Sequence, residues 1–82
     1  MELLHFTANW CKPCEKMQPI IEQFLLDNPD IIYKKIDVDH NPDPVKMNHV
    51  MSVPTFIVKK NAEESKRHSG IATLEEINTW FN

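Results

Sequence analysis

The chain has 82 residues, which suits one domain with one modest core. Hydrophobic residues make up 41% and charged residues 26%, a balance typical of a globular protein. The formal net charge of −3 disfavours a nucleic-acid partner, and no apolar run is long enough to span a membrane.

The first predicted elements are a strand and an amphipathic helix. The segment LLHF at residues 3–6 favours a strand that ends near Thr7. From Met17 onward, apolar side chains recur at the spacing of one helix face, and DNPD at residues 27–30 predicts the end of that helix. The predicted apolar face consists of Met17, Ile20, Ile21, Phe24 and Leu25.

A second strand and a short helix follow. IIYKKIDVD at residues 31–39 is rich in β-formers and predicts an interior strand, because its apolar residues do not alternate strictly. Asn41 or Asp43 is expected to cap the next helix, with Pro44 tolerated in its first turn.

The last third of the chain predicts a hairpin and a final helix. PTFIVKK at residues 54–60 favours a third strand, and the polar EESKRH favours a fourth at a sheet edge. The turn between them falls at Asn61, which tolerates a positive φ. Thr73 and Glu76 form a capping box ahead of an amphipathic helix. Its apolar face contains Leu74, Ile77 and Trp80 or Phe81.

The predicted order is therefore β-α-β-α-β-β-α. A parallel β-α-β unit followed by a hairpin and a helix gives an α/β fold: a mixed sheet of about four strands flanked by three helices. Because the N-terminus lacks the basic region and apolar run of a signal peptide, we expect a cytoplasmic protein. In a reducing cytosol a permanent disulfide is the weakest explanation for two cysteines.

The two cysteines, Cys11 and Cys14, lie at the start of the first predicted helix. Cβ atoms at this spacing on a helix are about 5–6 Å apart, so a small adjustment permits a disulfide. Cys14 falls in the apolar stripe and should be buried, whereas Cys11 falls beyond its edge and should be exposed. A helix N-terminus lowers a cysteine pKa from about 8.5 to about 7, which favours Cys11 as the nucleophile and Cys14 as the resolving thiol. Pro13 suits this turn because it needs no hydrogen-bond donor.

Three features are similar to the thioredoxin family: WCKPC at residues 10–14, Pro19 five residues after the second cysteine, and SVPT ahead of a strand. The resemblance covers nearly the whole chain. It implies a minimal thioredoxin-like fold over residues 1–82 and a thiol–disulfide oxidoreductase that reduces protein disulfides. It also implies disulfide-containing substrate proteins, no cofactor besides the Cys11–Cys14 disulfide, and a thioredoxin-reductase-like protein or glutathione as electron donor. A monomer is expected.

The resemblance further assigns supporting roles around the dithiol. Pro54 matches a cis-proline that faces the two cysteines, and Val53 would present its backbone to an extended substrate. Trp10 would flank the substrate groove, and Gly70 would allow close approach of the substrate, although its spacing alone favours a simple turn. Independently of the resemblance, the positive charge of Lys12 at the start of the helix should stabilise the thiolate to a modest extent.

Two departures from the family pattern bear on function. Full-sized thioredoxins carry an extra strand and helix ahead of the strand that begins this chain. His5 stands where thioredoxins usually have a buried aspartate that assists the resolving cysteine, and Lys35 matches the lysine beside it. A neutral His5 would relay a proton to or from Cys14, because Lys35 disfavours its charged form. A histidine that is merely packed in the strand is the alternative.

Three alternative functions stay open. A glutaredoxin-like, glutathione-dependent reductase usually has a tyrosine beside its second cysteine and a Gly-Gly pair, and this chain contains neither. A metal site formed by the cysteines with His5 or another histidine is weakly indicated, because no second ligand pair is present. A redox-independent binding module of the same fold remains the third alternative.

Overall fold

The computed structural model describes residues 1–82 and contains four strands and three helices in the predicted order. The strands are β1 (Glu2–Thr7), β2 (Ile32–Asp37), β3 (Thr55–Lys60) and β4 (Glu63–Ser69). The helices are α1 (Lys12–Asp27), α2 (Pro42–Met47) and α3 (Leu74–Trp80). The α/β class and the four-stranded mixed sheet predicted from the sequence are confirmed.

The strand order in the sheet is β2-β1-β3-β4. β1 is parallel to β2, whereas β3 is antiparallel to both of its neighbours, β1 and β4. The edge position expected for β4 is therefore confirmed, but the interior position expected for β2 is wrong. Ile32 is 54% exposed, and Lys34 and Lys35 are also exposed. The β-rich composition of this segment predicted a strand correctly, but two lysines in its middle leave it too polar to be covered on both faces.

Hydrophobic side chains cover both faces of the sheet. The larger core lies between the sheet and helices α1 and α3, and a smaller one lies on the opposite face, next to α2. The larger core consists of Leu3, Met17, Ile21, Phe24, Phe56, Val58, Ala72, Ile77 and Trp80. The smaller core consists of Leu4, Phe6 and Ile57, against which Val45 and Val50 pack. The alternation of β1 side chains between these two cores fixes the register of the strand.

Each helix begins at a residue that the sequence marks. Cys11 is the N-cap of α1, and Asn41 is the N-cap of α2, although its side chain makes no capping hydrogen bond. At α3 the Glu76 amide donates to Thr73 Oγ1 (3.1 Å), and the Thr73 amide donates to Glu76 Oε1 (3.2 Å). The predicted capping box is thus confirmed.

The hairpin between β3 and β4 turns through two residues with positive φ, Asn61 (φ 54°) and Ala62 (φ 67°). Two successive left-handed residues are typical of a type I′ turn, whose twist matches that of the flanking strands. The turn at Asn61 is confirmed, and Ala62 takes the position at which hairpins usually have glycine.

No helix in this structure is both long enough and apolar enough to cross a membrane.

Candidate functional site

Cys11 and Cys14 form a disulfide at the N-terminus of α1, with their Cα atoms 5.2 Å apart. The disulfide follows β1, which ends at Thr7, and Cys11 keeps an extended backbone (φ −90°, ψ 107°) before the helix begins at Lys12. The Cys14 amide donates to Cys11 Sγ at 3.2 Å. A sulfur in this position faces the free N–H groups and the positive end of the helix dipole, which stabilise a thiolate once the bond is reduced.

The exposure of the two cysteines differs in part from the prediction. Cys14 is buried, as expected, with 4% of its surface exposed, but Cys11 is only 3% exposed. The expectation of an exposed Cys11 is therefore wrong for the disulfide form. It assumed that helical geometry continues back to residue 11, whereas Cys11 lies outside the helix and its sulfur turns back over the first turn. Ala8 and Val53 pack against the pair there.

A polar groove of about 550 Å³ opens beside Cys14, between the start of α1 and the end of β2. Thr7, Glu15, Lys35 and Asp37 contribute to its walls. Lys35 Nζ donates to Gln18 Oε1 at 3.2 Å, on the opposite wall of the groove. The structure thus brings Lys35 to the same cavity as Cys14.

His5 is completely buried in the middle of β1. Its Nδ1 lies 2.8 Å from the Tyr33 hydroxyl, its ring stacks on Phe56 at 4.5 Å, and its Nε2 has no hydrogen-bond partner. Burial, with a smaller contribution from the charge of Lys35, lowers the pKa of His5 to about 4, so the ring is neutral at pH 7. Burial also raises the pKa of Tyr33 to about 12, and the charge of Glu22 acts in the same direction.

The proton relay suggested by the sequence receives no direct hydrogen bond in this structure. Neither ring nitrogen of His5 contacts a cysteine sulfur, because Nδ1 pairs with Tyr33 and Nε2 is unpartnered. The relay through His5 and Lys35 stays a prediction. The packing of the ring against Phe56 is what the alternative interpretation expected.

A second groove, of about 190 Å³ and lined almost entirely by apolar side chains, lies next to Trp10. We call it the apolar groove; its walls are Trp10, Val38, Val45, Val50, Met51, Ser52 and Val53. Trp10 is 66% exposed, and Met51 is 93% exposed. Trp10 Nε1 donates to Asp39 Oδ2 at 2.9 Å, so the indole has a defined orientation at the rim of the groove. Trp80, by contrast, packs in the core.

Two segments meet beside the disulfide: Val53 and Pro54, which precede β3, and Gly70, which follows β4. Val53 packs against the cysteines, and the Val53–Pro54 peptide bond is cis. The Gly70 amide donates to the Pro54 carbonyl at 2.9 Å, with Gly70 at φ +96°. No atom of the chain lies within 4 Å of the point where a Cβ of residue 70 would be. Glycine is therefore required by its backbone conformation, and the space beside it is open.

Lys12 and Pro13 occupy the first turn of α1. The Lys12 ammonium lies 3.9 Å from the Glu15 carboxylate, and both side chains are exposed. An exposed pair of this kind contributes little to stability or to the local field. No group of three or more histidine, cysteine, aspartate or glutamate side chains is arranged to hold a metal ion.

The comparisons with known proteins agree with this geometry. The sequence profile of the Thioredoxin family matches residues 1–82, the whole chain. The chain belongs to the thioredoxin family. It is therefore a thiol–disulfide oxidoreductase, and its redox-active CxxC disulfide joins Cys11 and Cys14. Membership of the thioredoxin family implies disulfide substrates and, in general, a reductase partner.

Individual thioredoxins show how far the likeness extends. Thioredoxin of Chlamydia trachomatis is 35% identical over 75 residues, which cover 92% of this chain and 74% of the relative. Thioredoxin H5 of rice is 42% identical over 62 residues, 76% of this chain and 46% of the relative. The crystal structure of oxidised mitochondrial thioredoxin 3 from Saccharomyces cerevisiae superposes with a TM-score of 0.87 at 32% identity, covering 95% of this chain and 73% of that one.

Sequence reasoning missed two parts of this thioredoxin site. Asp39, which orients Trp10, follows β2, and the ends of parallel strands β1 and β2 meet at one edge of the sheet. That rule was a usable signal. Apart from Trp10 and Val53, which the family resemblance indicated, the walls of the apolar groove gave no signal, because they come from separate parts of the chain: Val38, Val45 and residues 50–52.

Proposed function

We propose that this protein reduces disulfide bonds in other proteins, with Cys11 as the attacking thiol and Cys14 as the resolving thiol. The observation that supports these roles is the position of the disulfide at the N-terminus of α1, between two different grooves. Cys14 borders the polar groove, whereas the apolar groove is bordered by Trp10, which precedes Cys11 in sequence, and by Val53, which packs against the cysteine pair.

The reaction transfers two electrons from the dithiol to the substrate. The Cys11 thiolate attacks one sulfur of the substrate disulfide, so that a Cys11–substrate bond forms and the substrate S–S bond breaks, releasing the first substrate thiolate. The Cys14 thiolate then attacks Cys11 Sγ. The Cys11–Cys14 bond forms, the second substrate thiolate leaves, and protonation of the released thiolates yields the reduced substrate.

The surrounding residues have proposed roles in binding. The Val53 backbone would pair with an extended substrate segment, held in place by Pro54, and the open space beside Gly70 would admit that segment. Trp10 would cover the substrate from the other side, while Pro13 and Lys12 would shape and mildly polarise the first turn of α1. An apolar side chain of the substrate would occupy the apolar groove.

A trapping experiment tests the roles of the two cysteines. The Cys14→Ser variant retains the nucleophile but lacks the resolving thiol, so it should accumulate a mixed disulfide with a peptide disulfide substrate. Mass spectrometry should place the adduct on Cys11. The Cys11→Ser variant is the matched control and should form little adduct. An adduct on Cys14 of that control, at the rate seen for the other variant, would reverse the assignment.

The electron donor, location and oligomeric state belong to the same proposal. We propose a cytoplasmic monomer whose Cys11–Cys14 disulfide is reduced by a thioredoxin-reductase-like protein or by glutathione, since a reducing compartment keeps such a dithiol in its active form. Redox titration decides the direction of the reaction. A potential close to the roughly −270 mV of thioredoxin supports a reductase, and one close to the roughly −120 mV of DsbA identifies an oxidant.

A further inference from the structure

The chain leaves α2 through a tight turn that contains a strained residue. The Val50 amide donates to the Val45 carbonyl (3.0 Å) and the His49 amide to the Lys46 carbonyl (3.2 Å), which together form a Schellman motif. His49 occupies the left-handed position of this motif, with φ 53°. Glycine usually takes that position, because a Cβ is disfavoured there. An interaction from elsewhere in the fold that holds the turn would offset this strain.

Arg67 of β4 supplies that interaction. Its Nη2 donates to the Asn48 carbonyl at 2.7 Å, and its Nη1 donates to the His49 carbonyl at 3.4 Å. A cation at these carbonyls also complements the negative end of the α2 dipole. The contact joins β4, at one edge of the sheet, to a turn that is 18 residues away in sequence.

Glu64 holds the guanidinium in the required orientation. Arg67 Nε donates to Glu64 Oε2 at 2.9 Å, and Arg67 Nη2 donates to Glu64 Oε1 at 2.8 Å, so the pair is bidentate. This hydrogen bonding lowers the pKa of Glu64 and raises the pKa of Arg67. Both groups therefore stay charged throughout the neutral range. The planar guanidinium can bond the carboxylate and the two carbonyls together, which a lysine ammonium cannot do.

The turn at Asn48 and His49, whose carbonyls Arg67 binds, leads into one wall of the apolar groove. Val50, Met51 and Val53 follow it directly and line the groove beside the disulfide. Val50 also packs against the core on the α2 side of the sheet. Between the turn and β3, the segment is also held by the Thr55 hydroxyl, which donates to the Ser52 carbonyl at 2.7 Å, by the packing of Val53 against the cysteines, and by the hydrogen bond from the Gly70 amide to the Pro54 carbonyl. The direction in which the wall leaves α2 thus depends on the carbonyls that Arg67 binds.

We propose that Arg67 is a positioning residue for substrate binding: with Glu64 it fixes the turn at Asn48 and His49, and thereby the wall of the apolar groove. This inference rests on the proposed disulfide reductase function. Arg67 touches neither cysteine, so it acts on the affinity for a substrate that fills the groove and not on the exchange reaction itself.

The test uses two disulfides and pre-reduced protein in single-turnover stopped-flow measurements, followed by tryptophan fluorescence. The first is a cyclic peptide disulfide with leucine beside one cysteine, and the second is hydroxyethyl disulfide, too small to fill the groove. Arg67→Met should raise the half-saturating peptide concentration about fivefold with the limiting rate unchanged, since lost uniform binding alters KM and not kcat. Reduction of hydroxyethyl disulfide should not change.

Two further variants make the result specific. Arg67→Lys keeps the charge but loses the bidentate geometry, so it should rescue part of the peptide affinity. Lys66→Met removes a charge from the neighbouring, exposed position of β4. Its half-saturating peptide concentration should equal that of the unmodified protein. Amide exchange at His49 and Val50 gives a readout that needs no substrate; it should accelerate at least about threefold in Arg67→Met alone.

Each failure has a separate signature. An unchanged peptide half-saturation in a folded Arg67→Met variant overturns the positioning role and leaves the reductase function standing. Equal slowing of the reduction of both disulfides also overturns the positioning role, because the substitution then acts at the dithiol or on the whole fold. If the unmodified protein reduces neither disulfide, the proposed function fails, and the inference built on it fails with it.

Discussion

At the scale of single residues, burial decides the chemistry of His5. An imidazole on an edge strand or at a surface would be partly protonated near pH 6.5, but here the ring has no contact with water and no carboxylate partner. Tyr33 provides one neutral hydrogen bond, and Lys35 is the charged group whose field acts on the ring. The charged form of His5 is therefore strongly disfavoured in the folded protein.

This burial makes stability depend on pH. In the unfolded chain His5 binds a proton below pH 6.5, whereas in the folded protein its pKa is about 4. Between these values the unfolded state holds more protons, so stability falls as the pH decreases from 6.5 to 4. The pKa difference corresponds to about 3 kcal/mol of unfolding free energy. We expect His5→Phe, which keeps the stacking on Phe56, to remove this part of the slope.

Urea unfolding of the unmodified protein and of His5→Phe at pH 7, 5.5 and about 4 measures how the free energy of unfolding depends on pH in each. The unmodified protein is the necessary control, because protonation of carboxylates such as Glu64, whose pKa is lowered by Arg67, also destabilises the folded state in acid. This effect is the same in the unmodified protein and in His5→Phe. Parallel stability curves for the two proteins would contradict the burial argument. The pH profile of disulfide reduction by His5→Phe addresses the relay: a changed profile would give the ring a part in proton transfer.

At the scale of secondary structure elements, capping and turn chemistry position the dithiol and the strands. Cys11 acts as N-cap of α1 through its sulfur, which is an unusual cap because serine, threonine and aspartate are the strong ones. The rest of α1 compensates with a continuous buried stripe of Cys14, Met17, Ile21 and Phe24. Tertiary packing therefore holds this helix terminus, and the N-cap position stays available for chemistry.

The β3–β4 hairpin has a correctable defect at Ala62. Its φ of 67° lies in the left-handed region, which is strained for alanine and free for glycine. We expect Ala62→Gly to raise the free energy of unfolding by about 1 kcal/mol, because the left-handed penalty of roughly 1–2 kcal/mol exceeds the roughly 0.4–1 kcal/mol of entropy that glycine adds to the unfolded chain. Chemical denaturation provides the measurement. Ala72→Gly is the control with the opposite expected sign: Ala72 is buried in the larger core, so this substitution should lower the free energy of unfolding.

At the scale of the whole molecule, the central strands join two cores into one unit. β1 and β3 contribute side chains to both faces of the sheet, and Phe56 of β3 links His5 to Trp80 across the larger core. Neither core encloses enough apolar surface to be stable alone in so small a chain. The molecule should therefore unfold as one cooperative domain over residues 1–82.

Two optical probes test this cooperativity. The fluorescence of Trp80 reports on the larger core, and far-ultraviolet circular dichroism reports on all helices together. In a Trp10→Phe background, which removes the exposed indole, we expect both signals to give the same urea midpoint and the same slope. Separate midpoints would mean that a part of the fold, such as α2 with its smaller core, unfolds independently.

The sequence by itself determined the element order, the capping box at Thr73, the turn at Asn61 and the pair of cysteines at a helix start. These features are local, because spacing along the chain, backbone preference and side-chain type produce them without reference to distant residues. The thioredoxin-like combination of WCKPC with SVPT was local in the same sense.

Tertiary structure alone decided the rest. It placed β2 at an edge, buried Cys11, paired the Trp10 indole with the Asp39 carboxylate, and connected Arg67 to the turn beside the apolar groove. Each of these outcomes depends on which segments become neighbours when the sheet assembles. Burial, hydrogen-bond pairing and pKa are properties of those neighbours, and a linear sequence does not contain them until the chain has folded.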